Sequence, residues 1–278
     1  MYMCIALLSP KVDFVFKKIF GSEEHKEILI SFLNAVIDNN EPIVSVEILN
    51  TDVEKEFLDD KFSRLDIKAK TNKNHIVNIE IQVKNEYNIV KRSLYYWGKL
   101  YTNQLKNKGK YKELERTVCI NILDFKCIDN LRYHNVFRLK EVDTNEELTD
   151  TMEIHFIELP KLDTDMEIKN ILEAWLQFIK QPEKNLELDI AEIKEAKIEL
   201  CKLSSNEKER EMYFMREQSL IQKESALDGA KQEGKVEGQN EKAIEIAKNL
   251  LSIGLSVEQI QVASGLDIDT IKTMVSKY

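Results

Sequence analysis

Between Lys61 and Lys84 apolar and polar residues alternate in two short runs joined by a polar turn. The first run reads Phe62-Ser63-Arg64-Leu65-Asp66-Ile67-Lys68-Ala69-Lys70. The second reads Ile76-Val77-Asn78-Ile79-Glu80-Ile81-Gln82-Val83-Lys84. A period of two predicts strands with two unlike faces. Leu65, Ile67 and Ala69 share an apolar face with Val77, Ile79, Ile81 and Val83. Arg64, Asp66 and Lys68 share a polar face with Asn78, Glu80, Gln82 and Lys84. The connection Thr71-Asn72-Lys73-Asn74-His75 has turn chemistry. A hairpin symmetric about Lys73 sets Asp66 opposite Glu80 and Arg64 opposite Gln82, with facing Cβ atoms about 5 Å apart.

The flanking patterns predict an α/β fold for the first half. Ser9 and Pro10 suit the start of a helix ending before Gly21, in which Asp13 and Lys17 are spaced as an i, i+4 pair. A second helix is predicted over 23–37, on the stripe Ile28, Leu29, Phe32, Leu33, Val36 and Ile37, and a strand over 44–49. After the hairpin, a helix is expected from Asn88 to Lys108. Its aromatics Tyr95, Tyr96, Trp97 and Tyr101 read as core, and Arg92, Lys99, Lys106 and Lys108 as a basic face. Strands are predicted at 118–123, 134–139 and 153–159. Helix, strands, helix, strand is an α/β order.

From about Asp165 the chain reads as helix throughout. Ile168, Ile171, Leu172, Trp175, Leu176 and Ile179 form an apolar stripe, and charged helices follow over 186–203 and 206–225, with a capping-box pattern at 204–207. Gly229, Gly234 and Gly238 weaken a helix by about 1 kcal/mol each, so 226–240 is expected as a flexible or poorly packed connector. Ser256 with Gln259, and Asp267 after Gly265, predict two capped helices in the tail. The resulting division is 1–160 core, 161–227 helical extension, 228–240 glycine-containing connector and 241–278 small helical unit. The tail has helix-turn-helix spacing, but Asp267 and Asp269 crowd the start of its last helix, the end that would approach DNA bases. A protein-interaction or oligomerisation role suits it better.

Charge sharpens this picture. The 278 residues carry a net charge of −9, unevenly spread. Residues 1–127 hold 20 Lys and Arg against 18 Asp and Glu, and residues 128–278 hold 20 against 31. The half with the hairpin is therefore not repelled from phosphate, while the acidic half disfavours wrapping DNA. The four cysteines are scattered, without metal-ligand spacing, which points to a reducing, cytoplasmic setting. No membrane-length apolar run is present, and the short apolar start without basic residues before it does not predict a signal peptide. The four histidines do not cluster in sequence. His25 and His75 are expected to be solvated, and His155 to lie in the core or at an edge.

Two carboxylates facing each other at about 5 Å repel by roughly 3 kcal/mol at an effective dielectric near 20. A proton, neighbouring cations such as Arg64, Lys68 and Lys84, or a bound hard divalent ion would each offset that repulsion. The pattern leaves open a cross-strand salt-bridge face and a metal site.

Several pieces together resemble the PD-(D/E)XK nuclease-like transposases, also called the Rpn recombination-promoting nucleases. They are Asp13-Phe14-Val15-Phe16-Lys17 with Phe20-Gly21, Ser63-Arg64-Leu65-Asp66-Ile67, Asn78-Ile79-Glu80-Ile81-Gln82 and Arg92-Ser93-Leu94-Tyr95-Tyr96. The similarity spans about Ser9 to Leu123. It implies a restriction-endonuclease-like core, a mixed β-sheet flanked by helices, followed by the all-helical C-terminal region. It implies Mg²⁺-dependent hydrolysis of DNA phosphodiesters, with Mn²⁺ as an alternative ion. By position, Asp66 and Glu80 would be the metal ligands, Gln82 would stand where most such nucleases carry a catalytic lysine, and Asp13 would reach the edge of the site. Lys17, Arg64, Lys84 and Arg92 are the candidate supporting or phosphate-contacting cations, and Lys84 could partly replace the missing lysine. The expected partners are DNA and further copies of the chain, through the C-terminal helices. Two departures, the absent proline before the Asp66 motif and the neutral Gln82, keep open an alternative: a non-catalytic interaction protein on a degenerate nuclease fold.

Overall fold

A computed structural model of the chain describes residues 6–37, 41–50, 66–105, 109–165, 167–184 and 189–275. The chain divides into two compact units, Met1–Glu217 and Gln218–Tyr278.

The first unit is built on a six-stranded mixed sheet. Its strands are β1 (Val46–Leu49), β2 (Ile67–Thr71), β3 (Ile76–Gln82), β4 (Thr117–Leu123), β5 (His134–Lys140) and β6 (Glu147–Glu158). Their spatial order is β1-β2-β3-β4-β6-β5. The pairs β3–β4 and β4–β6 are parallel and the others antiparallel. A parallel pair needs a crossover. Between β3 and β4 that crossover is α3 (Ile89–Thr102), shorter at its end than the aromatic pattern suggests; Lys106 and Lys108 lie outside the described residues.

Two apolar layers cover the sheet. On one face Ile67, Ala69, Val77, Ile79, Ile81, Val118, Ile120 and Ile122 pack against α1 (Asp13–Phe20), α2 (Lys26–Val36), α4 (Ile171–Lys180) and α5 (Ala191–Ser205). Phe20 anchors this layer, with ring centroids 4.5 Å from Phe16, 5.3 Å from Phe32 and 5.3 Å from Trp175. On the other face Ile76, Cys119, Leu123, Ile154 and Phe156 pack against Ile89, Tyr96 and Leu100 of α3. Helices on both faces bury a central strand completely. Hence β3, whose alternation suggests a half-solvated strand, is buried along nearly its whole length, including Asn78 and Glu80.

The first helix begins at Asp13 rather than Pro10. Ser9 is drawn into a turn instead, its carbonyl accepting from the Val12 N–H and its hydroxyl from the Lys11 N–H. Gly21 ends the helix where an added Cβ would lie 2.7 Å from the Lys17 carbonyl oxygen, a distance that real Cβ contacts do not show. Asn206, not Ser204, caps α6 (Glu207–Ser252) by accepting from the Glu209 N–H at 3.2 Å.

His155 is buried as expected, but it does not stand alone. His134 Nε2 lies 2.9 Å from His155 Nδ1, and buried His155 reaches Glu153 with Nε2 at 2.8 Å. Arg116 and Arg138 also bind Glu153, and against desolvation His155, then Arg116 and Arg138, hold its buried carboxylate down at about 2. Burial and His155 push His134 down to about 4. His25 is half-buried rather than freely solvated. It faces Glu27, Glu195 and Glu199 at 3.3, 3.6 and 3.3 Å and ties the start of α2 to α5. Burial, the largest cause, lowers the basicity of His75.

Helix α6 (Glu207–Ser252) runs without interruption through 226–240, where the glycines suggest a connector. Each glycine costs about 1 kcal/mol, but the residues around them are strong helix formers and a long helix spreads the penalty. In the second unit, α7 (Val257–Ser264) starts with the expected Ser256–Gln259 capping box and ends at left-handed Gly265. Asp267 caps α8 (Ile268–Val275) through the Thr270 N–H at 2.8 Å. Ala247, Ile260 and Ile271 form its core. No described helix is long and apolar enough to cross a membrane.

Candidate active site

The hairpin register follows from the turn. Ile67 pairs with Ile79, Lys68 with Asn78, Ala69 with Val77 and Lys70 with Ile76, the symmetry about Lys73 that the sequence suggests. Asp66 lies one residue before β2 and continues that register toward Glu80. It also locks the strands together, since its Oδ2 accepts from the Ile81 N–H at 2.9 Å.

Glu80 is 2% exposed. Its Oε2 is 3.3 Å from Arg92 Nη2. Arg92 lies in the first turn of α3 and is held there by Tyr96, whose hydroxyl accepts from Nε at 3.1 Å and whose ring centroid lies 5.4 Å from the guanidinium carbon. The helix is fixed over the strand by Asn121 of β4, the residue paired with Glu80. Asn121 Nδ2 donates to Ser93 Oγ at 2.9 Å and to the His155 carbonyl at 3.0 Å. Neither Asn121 nor Ser93 carries a signal of this role in the sequence, because the bond joins residues on different elements.

Burial dominates the electrostatics. Desolvation raises Asp66 from 3.8 to about 6; the Ile81 hydrogen bond, Arg92 and Lys17 oppose the rise, and Asp13 adds to it. Desolvation likewise raises Glu80 from 4.5 to about 7, with Asp66 adding to the rise and Arg92 and Asn78 opposing it. Burial, more than the nearby Glu80, pushes the Cys119 thiol far up. Asp66 thus makes Glu80 harder to ionise. Among the described residues, buried Glu80 Oε1 has no hydrogen-bond partner, and neither does Asn78 Oδ1. A buried acceptor without a donor is costly unless a proton or cation fills the gap. Two carboxylates, one with an unmatched buried oxygen, form a donor set that suits a hard divalent ion.

The other expected residues fall out differently. Asp13 opens α1 and is paired: both its oxygens accept from Arg216 Nε, at 3.0 and 3.1 Å, and Oδ2 also from Nη2. Arg216 lies on α6 and was not singled out by any pattern in the chain. Lys17, one turn after Asp13, acts on the Asp66 carboxylate. Gln82 is the last residue of β3, and its carbonyl accepts from the Asp124 N–H at 2.9 Å. Lys84 follows the strand in a bend, so strand alternation does not carry it to the Glu80 face. Arg64 lies outside the described residues.

A mixed sheet between helical layers, with a buried carboxylate pair where a hairpin meets a crossover helix, defines an α/β protein of the restriction-endonuclease-like class. Residues 10–230 match the family model described as PD-(D/E)XK nuclease family transposase, and the chain belongs to that family. Such nucleases generally use divalent metal ions. No curated protein and no solved structure gives a significant match.

Proposed function

We propose that this protein is a metal-dependent DNA endonuclease that hydrolyses phosphodiester bonds at the Asp66–Glu80 pair. The observation that carries this reading is the pair itself: two carboxylates sharing a buried site, pushed to about 6 and 7, one with an unpartnered oxygen. Membership of a nuclease family supports it. In this reading Asp66 and Glu80 hold Mg²⁺, or Mn²⁺ in its place. The bound ion supplies a polarised phosphoryl group and a water more acidic than bulk water.

The chain's own residues do the rest. The Ile81 N–H holds one Asp66 oxygen and leaves the other for the site. Arg92 keeps Glu80 oriented and supplies positive charge beside it. Gln82, at the end of the same strand, orients the attacking water by hydrogen bonding; its neutral amide neither takes its proton nor adds charge. Lys17 and Lys84 are proposed to support the site or contact phosphate. The acidic charge of the second half argues for local engagement of the duplex rather than wrapping. Assembly through the C-terminal helices, a cytoplasmic location and a role in recombination belong to the same proposal.

Metal-dependent melting tests it. A folded-state site gains stability as RT ln(1 + [L]/Kd), about 2.7 kcal/mol at a hundredfold excess over Kd. The expected result is a melting temperature raised by Mg²⁺ or Mn²⁺ in the wild type and not in an Asp66→Ala, Glu80→Ala double variant. An unchanged wild-type melting temperature at saturating metal would exclude a metal site here.

A further inference from the structure

We propose that His25, Glu195 and Glu199 form a second cation site, distinct from the hairpin carboxylates, which takes a borderline divalent ion of the Zn²⁺ class and clamps the start of α2 to α5. The site is independent of the nuclease reading.

The two glutamates lie one turn apart on α5, the spacing that puts both on one side of a helix. His25 comes from the turn that leads into α2. Both helices are fixed from beneath, since Ile28 and Leu29 of α2 and Ile193 and Ala196 of α5 belong to the main core. The three backbones are therefore set before any ion arrives. His25 Nδ1 lies 3.6 Å from Glu195 Oε1, and Nε2 lies 3.3 Å from Glu199 Oε1. One imidazole nitrogen and one oxygen from each glutamate fall within 4.8 Å of one another. Ligand atoms in a tetrahedral Zn²⁺ shell with bonds of about 2.0–2.1 Å stand roughly 3.4 Å apart, so side-chain rotation alone closes the set. The side chains of His25 and Glu199 are 22% and 19% exposed, which shields the site from bulk water on one side.

The charges around the ring are uneven. Glu27 Oε1 is 3.3 Å from Nδ1, so a single imidazole faces three carboxylates. Lys202 pairs with Glu199 from the solvent side, a weak exposed contact that a bound ion replaces. Three carboxylates alone would make an acidic surface open to any cation. The imidazole nitrogen narrows the ligand. Oxygen-only sets suit Mg²⁺ and Ca²⁺, whereas imidazole suits Zn²⁺ and its transition-metal neighbours. Three protein ligands leave a fourth position for water or for Glu27. The ion bonds elements from opposite ends of the first unit's chain, so it stabilises the folded state by binding there selectively.

Equilibrium dialysis of the full-length protein against Zn²⁺ at neutral pH, with bound ion counted per chain, tests the site. His25→Asn and, separately, the Glu195→Gln, Glu199→Gln double variant should each bind one Zn²⁺ fewer than the wild type. The Asp66→Ala, Glu80→Ala variant should keep that ion. Zn²⁺ should also raise the melting temperature of the wild type by more than that of either cluster variant. Melting in EDTA reports whether each variant is folded; should His25→Asn fail to fold, the glutamate double variant carries the same comparison. With Ca²⁺ in place of Zn²⁺, folded His25→Asn should match the wild type, because imidazole is not a ligand for a hard ion. Zn²⁺ counts and melting shifts in the cluster variants equal to those of the wild type would overturn the inference. So would a Zn²⁺ loss confined to the glutamate variant beside a folded His25→Asn, which would reduce the cluster to an acidic surface. Failure of the nuclease reading shows elsewhere, in equal DNA cleavage with and without the hairpin carboxylates.

Discussion

Glu80→Gln is expected to abolish metal-dependent cleavage and at the same time to stabilise the protein. The first effect follows from the loss of an anionic ligand. The ion's charge stabilisation is worth several kcal/mol, so a fall of about a thousandfold or more in rate is expected. The second follows from the sign of the acidity shift. Glu80 ionises near 4.5 when unfolded and at about 7 when folded, with burial as the main cause. The folded state therefore binds the proton more tightly. The stability that this contributes is complete below pH 4.5 and is lost as pH rises to about 7. At 1.36 kcal/mol per pH unit, the loss by pH 8 is about 3 kcal/mol at most. Glutamine, a neutral side chain of the same shape, does not incur it. Denaturant unfolding at pH 8 in EDTA should therefore place Glu80→Gln above the wild type, with the difference vanishing near pH 4. Stability surrendered at a functional site is a common trade. A variant that cleaves at the wild-type rate, or that unfolds well before the wild type at pH 8, would contradict this account of Glu80.

Metal affinity should fall steeply as the solution is acidified. Without metal, burial pushes Asp66 up to about 6 and Glu80 up to about 7, and Asp66 adds to the rise at Glu80. Binding needs both ionised and must displace whatever protons they carry. Between pH 8 and pH 6 the fully ionised fraction drops about twentyfold, and below pH 5 it falls about a hundredfold per pH unit. Calorimetric titration of Mn²⁺ in buffers of different ionisation enthalpy should show this loss, with between one and two protons released at pH 6. An affinity independent of pH over this range would mean that the ion does not bind at the buried pair.

The carboxylate pair was legible in the chain because its geometry is local. A five-residue turn and strict alternation fix the register, which continued by one residue sets Asp66 toward Glu80. The α1 motif was legible for the same reason, since apolar spacing and Gly21 define one short amphipathic helix. Long-range features were not. Arg216 reaches Asp13 across more than two hundred residues, from a helix whose pattern is charged on every side. Asn121 and Ser93 act through a bond between β4 and α3. His134 and His155 come together because β5 and β6 pair antiparallel, and His134 faces Ile157 rather than lying near His155 in the chain. The polar strand face suggested exposure, yet α3 covers it, and burial is what moves both acidities. At 226–240 the glycines do not interrupt the 46-residue helix, and the stretch is exposed along its whole length, as a poorly packed connector would be.

The central claim is that a metal bound at the hairpin carboxylates hydrolyses DNA. Supercoiled plasmid incubated with Mg²⁺ or Mn²⁺ and with wild type or Asp66→Ala, purified identically, tests it most directly. The account predicts nicked or linear product with the wild type alone. Equal product from both proteins would place the activity elsewhere, and no product from either, across both ions, would leave the fold serving a non-catalytic interaction protein.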